Sequence, residues 1–180
     1  MKHVMVDLET LGTMPGSVIV SLGALEFMPA GSSFYALIDA TSCQQLGLRI
    51  EAGTVMWWLG QNEAARQALI ETPGEPITGV LGAFADWMAA VRGGGDLRLW
   101  AKGPSFDASL LRSAYRAARM EAPWHYAEER CVRTVLELAG VERAADGVQH
   151  HALDDARRQA VAVEAAMARM AVGTPTEERI

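Results

Sequence analysis

The sequence predicts a mixed α/β layer in which helices pack on the faces of one sheet. Two observations carry this. Three β-rich stretches come early and are joined by short connections, which implies an antiparallel meander, because parallel neighbours need long crossovers. A further strand then alternates with stretches of 3.6-residue apolar period, the pattern of helices laid on a sheet.

The first strand is Val4-Met5-Val6, three apolar β-formers that run directly into Asp7-Leu8-Glu9-Thr10. Gly12-Thr13-Met14-Pro15-Gly16 is turn chemistry. Val18 to Phe27 reads as a largely buried second strand, and Pro29-Ala30-Gly31 turns the chain into a third, Phe34 to Ile38. Thr54 to Leu59 is helical and contains Trp57 and Trp58, which makes it more apolar than a short exposed helix should be. A helix to Ile70 follows, with Asn62 as its N-cap. After Pro73-Gly74-Glu75-Pro76, the residues Val80, Leu81, Phe84, Trp87, Met88 and Val91 form one helical stripe that Gly93-Gly94-Gly95 ends.

Leu97 to Ala101 is the fourth strand. A turn through Lys102-Gly103-Pro104-Ser105 leads to a helix from Ser105, its cap, to Met120. Pro123 to Tyr126 reads as extended, and Arg130 to Leu138 as a short helix ended by Gly140. The last helix runs from Ala152 to Met170, with a stripe at Leu153, Ala156, Ala160, Val163, Met167 and Met170. No repeat or dividing linker interrupts this order, so residues 1–172 are expected to form a single domain, followed by a loose tail at 173–180.

Composition narrows the class. Half of the 180 residues are hydrophobic and 21% are charged, which fits a folded core and excludes a disordered chain. The formal net charge of −6 provides no global field to attract polyanions, so any nucleic-acid site must create positive charge locally. Cys43 and Cys131 are isolated, which argues against a disulfide framework or a structural zinc site. The chain enters a strand too early for a signal peptide, and no apolar run approaches the ~20 residues of a membrane span. The expectation is a cytoplasmic protein with no membrane partner.

Asp7 and Glu9 are two apart on an extended strand and therefore project from the same face. Two acids held together repel unless a cation sits between them, and Mg²⁺ or Mn²⁺ suits all-oxygen ligands. Taken alone, such a pair is more often a solvated turn than a metal site. Asp107 falls in the first turn of the helix after the fourth strand, where it either favours the macrodipole or approaches Asp7 and Glu9. The last helix opens with His150-His151-Ala152-Leu153-Asp154-Asp155. His151 and Asp155, four apart, share a helical face. His150 and Asp155 meet only if His150 lies in the loop before the helix.

The order of these groups resembles the DEDDh subgroup of the DEDD exonucleases, which is related to polymerase proofreading subunits. The residues that carry the resemblance are Asp7-Leu8-Glu9-Thr10, Phe106-Asp107 and His150-His151-Ala152-Leu153-Asp154-Asp155-Ala156. The opening Asp-Leu-Glu-Thr-Leu-Gly-Thr, the Trp57-Trp58-Leu59 helix and the Cys131 to Thr134 segment are similar to a bacterial and phage exonuclease VIII-like, 3′-5′ exoribonuclease branch. One departure is that Gly103-Pro104-Ser105 stands where many members carry an asparagine before the second-motif acid.

The resemblance implies a ribonuclease H-like sheet of three antiparallel strands followed by parallel ones. It also implies metal-dependent 3′-5′ hydrolysis of single-stranded RNA or DNA ends, with RNA favoured. Two divalent cations, Mg²⁺ or Mn²⁺, would be held by Asp7, Glu9, Asp107 and Asp155, with Asp7 bridging. The family spacing selects His150 over His151 as general base. Thr10 would contact the 3′ hydroxyl through its backbone, Leu11 or Met14 would wedge against terminal bases, and Trp57 and Trp58 are candidate stacking surfaces, one buried and one bordering the cleft. Lys102, Arg112, Arg116 and Arg133 are candidate phosphate contacts. The family and the surplus of apolar helix surface also put homodimerisation among the expectations. The rivals are a non-catalytic nucleic-acid-binding module on the same fold and a nuclease restricted to short oligonucleotides.

Overall fold

The computed structural model describes residues 1–70, 73–103, 105–141 and 150–172, apart from the side chains of residues 68, 70 and 172. Pro104 and the expected tail at 173–180 lie outside the described residues. Five strands form one sheet: β1 (Lys2–Thr10), β2 (Ile19–Phe27), β3 (Ser33–Leu37), β4 (Leu97–Ala101) and β5 (Glu129–Cys131), in the order β3-β2-β1-β4-β5. The first three are antiparallel neighbours, as short connections require. β4 pairs parallel to β1, and β5 parallel to β4.

The long crossover from β3 to β4 is made of four helices: α1 (Ala40–Gln45), α2 (Ala52–Leu59), α3 (Glu63–Ile70) and α4 (Ile77–Arg92). α5 (Asp107–Ala117) follows β4, and α6 (Val132–Leu138) and α7 (Ala152–Val172) follow β5. No described helix is long and apolar enough to cross a membrane.

Alternation along β1 divides the core in two. Val4, Val6 and Leu8 face a cluster built with the α4 stripe (Val80, Leu81, Phe84 and Met88) and with Leu110 and Leu111 of α5. Met5 faces the opposite side, where Phe27, Trp100 and the α7 residues Ala156, Ala160 and Val163 meet. Asp7 and Glu9 follow Met5 at two-residue steps and so belong to the α7 face. Near the end of β1 the β2 register slips between Glu9 and Thr10, leaving Val20 as an extra residue, a bulge of the kind that bends a strand beside a site.

Several local expectations shift. α5 begins at Asp107 rather than Ser105, and the residue before it, Phe106, makes no side-chain cap. Asn62 accepts from the Ala65 amide at 2.9 Å, the capping contact expected of it. The segment expected to be extended, Pro123 to Tyr126, is extended at His125 and then enters a single 3₁₀ turn at Tyr126–Glu128 that His125 caps. Arg130 lies in β5 rather than in a helix, because its backbone completes the ladder beside Trp100. α1, which the sequence pattern does not reveal, is nucleated by Asp39, whose carboxylate accepts from the Thr41 and Ser42 amides.

Candidate active site

Three chain segments meet at the C-terminal end of β1. β1 contributes Asp7 and Glu9, both buried. The parallel pairing of Met5 with Trp100 brings the chain beyond β4 alongside the same end, which sets Asp107, at the start of α5 and 3% exposed, next to them. α7 supplies the rest. It runs back along β1, with Asp155 near Glu9 and Gln159 against Asp7. Val163 lies one turn further on, in the same apolar cluster as Met5. The spacings match, since a four-residue helical step is ~6 Å and a two-residue strand step is ~6.6 Å.

Close approach of α7 depends on Gly23, which pairs with Asp7 across the β1–β2 ladder. A Cβ at position 23 would lie 2.2 Å from the Leu153 nitrogen and 2.4 Å from the Ala152 carbonyl carbon. The first turn of α7 therefore rests directly on the sheet backbone.

Burial raises the proton affinity of all four acids, and for Asp7 and Glu9 the neighbouring carboxylates raise it further. Burial, and then the Asp107, Glu9 and Asp155 carboxylates, push Asp7 well above the usual carboxylate range, while a hydrogen bond from Gln159 pulls it down. Glu9 is pushed up to about 8, chiefly by burial and then by Asp155 and Asp107. Asp107 rises to about 7 through burial, opposed by backbone hydrogen bonds at its own amide and at Leu8 and by the charges of Arg133 and Lys102. Asp155 is raised by burial, against Arg158, His150 and Lys102. Arg158 forms an ion pair with Asp155 from within α7.

One ligand atom each from Glu9, His150 and Asp155 lies within 4.8 Å of the other two. Buried oxygen donors that repel one another in this way fit hard divalent cations, which would relieve the charge that raises these groups. The residues present suit such ions.

His150 lies in the loop just before α7, so both it and Asp155 reach the site. Its ring makes edge contacts with Trp57 at 4.9 Å and Trp58 at 5.3 Å between centroids. His151 turns the other way: it stacks on Tyr35 of β3 at 4.4 Å, and its Nδ1 accepts from the Asp154 amide at 3.4 Å. Asp154 pairs with Arg157 on an exposed face.

Beside the acids opens a cavity of about 440 Å³ walled by Glu9, Thr10, Thr13, Trp57, Trp58 and Phe106, among others. Trp58 is buried, and its indole N–H donates to the Thr10 carbonyl at 2.9 Å, which ties α2 to the end of β1. Trp57 is 47% exposed and offers an open ring face. Leu11 packs against the core cluster and Met14 is exposed, and neither belongs to the cavity wall. Glu51, the residue before α2, accepts from the Thr13 amide and hydroxyl at 3.0 Å each and from the Met14 amide at 3.3 Å, which fixes the loop after β1 against α2.

Among the candidate phosphate contacts, Lys102 and Arg133 act electrostatically on Asp107, and Arg116 is exposed. Arg112 is engaged elsewhere: it pairs with Glu129 and lies over the Trp124 ring at 5.3 Å. Gln159, Gly23 and Glu51 are not singled out by the sequence. Two of them carry a detectable mark, since Gln159 lies one turn after Asp155 and beside the apolar stripe at Ala156, Ala160 and Val163, and Gly23 interrupts an apolar strand.

Comparison with known proteins agrees with this geometry. A family model described as the 3′-5′ exoribonuclease Rv2179c-like domain matches residues 2–167. No curated protein matches. Among solved structures, the nuclease domain of 3′hExo, a DEDDh family member bound to rAMP, superposes with a TM-score of 0.60 at 14% identity, covering 96% of this chain and 92% of that one. A full-length 3′-exonuclease gives 0.56 at 14% identity, covering 95% and 82%. Cell-death related nuclease 4 (CRN-4) gives 0.57 at 12% identity, covering 93% and 64%. At these identities the structural matches speak for a shared ribonuclease H-like fold, and the family model covers nearly the whole chain. The chain belongs to the Rv2179c-like 3′-5′ exoribonuclease domain family, and it is a 3′-5′ exonuclease domain.

Proposed function

We propose that this domain removes nucleotides one at a time from the 3′ end of single-stranded nucleic acid, RNA in preference to DNA. Asp7, Glu9, Asp107 and Asp155 would hold two divalent cations, and His150 would act as general base. The observation that carries this reading is the meeting of Glu9, Asp155 and His150, drawn from opposite ends of the chain, beside a cavity walled by Thr10, Trp57 and Trp58. The preference for RNA rests on the description of the family model and on the rAMP bound to one structural neighbour.

In this reading Asp7 and Glu9 bind from the strand, Asp107 from α5 and Asp155 from α7, so that the donor set closes only when all three segments are in place. Divalent cations bound there would neutralise charge on the scissile phosphate and make the attacking water more acidic. His150 takes that water's proton, a role suited to an imidazole. Its ring is steadied by Trp57 and Trp58. Thr10 meets the terminal sugar at the end of β1, and Trp57 receives a base on its exposed face. Residues 1–172 act as one catalytic unit in the cytoplasm, as a homodimer.

The test uses matched 5′-labelled single-stranded RNA and DNA with Mg²⁺, Mn²⁺ or EDTA, and compares the wild type with Asp7→Ala and His150→Ala. The reading expects a metal-dependent ladder that shortens from the 3′ end, runs faster on RNA and is lost in both variants. A faster DNA ladder would reverse the sugar preference. Intact substrate under every metal, with binding retained, would leave only a binding module.

A further inference from the structure

We propose that Gln159 is a positioning residue for the cation site: it holds the Asp7 carboxylate in the orientation that divalent ions require. The inference rests on the reading of Asp7 as a cation ligand. Gln159 Nε2 donates to Asp7 Oδ1 at 2.6 Å, in a setting where both side chains are at least nine-tenths buried. The bond spans 152 residues and joins the middle of α7 to β1. With one carboxylate oxygen engaged by the amide, rotation of the Asp7 side chain is restricted and the second oxygen is left for other partners.

The other half of the amide shows what the residue is for. Gln159 Oε1 is buried and has no hydrogen-bond partner among the described residues. A buried acceptor left unpaired is a cost to the fold. Its neighbours on this face, Ala156, Ala160 and Val163, are apolar. An apolar side chain at 159 would continue the stripe without that cost, so the amide's contribution lies in its donor. Asp155 and Gln159 are one helical turn apart, so α7 delivers a ligand to the site and a buttress to a second ligand from one rigid face. Partners of this kind, one shell out from the ligands, typically set metal affinity within a factor of ~10–100.

The test is Mn²⁺ binding by isothermal titration calorimetry, without substrate, for the wild type and Gln159→Met, a side chain of similar length with no donor. The expected result is a Kd for Mn²⁺ raised ~10–100-fold with helical content unchanged. In turnover, more Mn²⁺ would be needed for half-maximal rate, at an unchanged KM for the oligonucleotide. A Gln159→Met protein that binds Mn²⁺ within about twofold of the wild type overturns the proposal and leaves the cation site standing. A wild type that binds no Mn²⁺ overturns both. Should Gln159→Met fail to fold, the side-chain amide of Gln159 is followed by NMR in ¹⁵N-glutamine-labelled wild type during Mg²⁺ addition. A shifted signal supports the assignment, and an unmoved one refutes it.

Discussion

Gly23 lies across the ladder from Asp7 and beneath the backbone of Leu153, so that one missing side chain brings the first turn of α7 against the sheet. The distance of Asp155 from Glu9 is therefore set at a position that contributes no functional group. Gly23→Ala places a Cβ where backbone already stands, and α7 must lift. Overpacking of this kind costs ~1–3 kcal/mol. Urea denaturation should show that loss, and Mn²⁺ affinity should fall with it although all four carboxylates remain. Unchanged stability together with unchanged affinity would show that α7 can find its place without the glycine.

Metal-free protein should lose stability as pH rises. The Glu9 carboxyl titrates at about 8 in the fold against an ordinary 4.5, and Asp107 at about 7 against 3.8. Between those values the folded state binds more protons than the unfolded one, so the stability supplied by the neutral acids is present below pH ~4 and declines up to pH ~8. Thermal melts in EDTA across that range should fall steadily, and Mn²⁺ should restore the midpoint most at the alkaline end. Melts that stay flat between pH 5 and 8 would contradict the burial of these two carboxyl groups in the metal-free fold.

Glu9→Gln separates stability from function. It removes one of the mutually repelling charges while keeping the shape, so the metal-free variant should be more stable than the wild type at pH 8, by ~1–3 kcal/mol. Activity should be lost if, as proposed, the replaced carboxylate belongs to the donor set; its oxygen lies within 4.8 Å of a ligand atom of His150 and of Asp155. Denaturation and the ladder assay on one preparation check both halves.

Trp57 and Trp58 are adjacent in sequence and should behave oppositely. Trp58 is buried and bonded to the Thr10 carbonyl, so truncation to Ala should cost ~3–5 kcal/mol of stability. Trp57 is half exposed over the cavity. Its truncation should leave the melting midpoint nearly unchanged and weaken oligonucleotide binding by ~1–3 kcal/mol, seen as a raised KM.

The parts of the fold that follow a strict period are legible from residues alone. The β1 alternation places Asp7 and Glu9 on one face, and the α4 and α7 stripes mark the helices that cover the sheet. Asp107 required one further inference, that β4 lies beside β1, which the parallel pairing supplies. Elements with no periodic apolar content were hidden. β5 is three half-buried residues, Glu129, Arg130 and Cys131, recruited by the edge of β4, and α1 is a six-residue helix started by the Asp39 cap. Gln159 escaped because its significance depends on a partner 152 residues away. The choice between His150 and His151 could not be made from helical spacing. Both precede α7, and it is the contacts of His150 with Trp57, Trp58 and the acids and the stacking of His151 on Tyr35 that part them in space.

The most direct test of the account is the single-turnover rate of 3′ nucleotide release by His150→Ala at saturating Mn²⁺. If His150 carries the proton of the attacking water, the rate should fall ~10²–10⁴-fold and stay low however much Mn²⁺ is added. A rate that returns to the wild-type value as Mn²⁺ is raised would contradict the account and make His150 a ligand alongside Glu9 and Asp155.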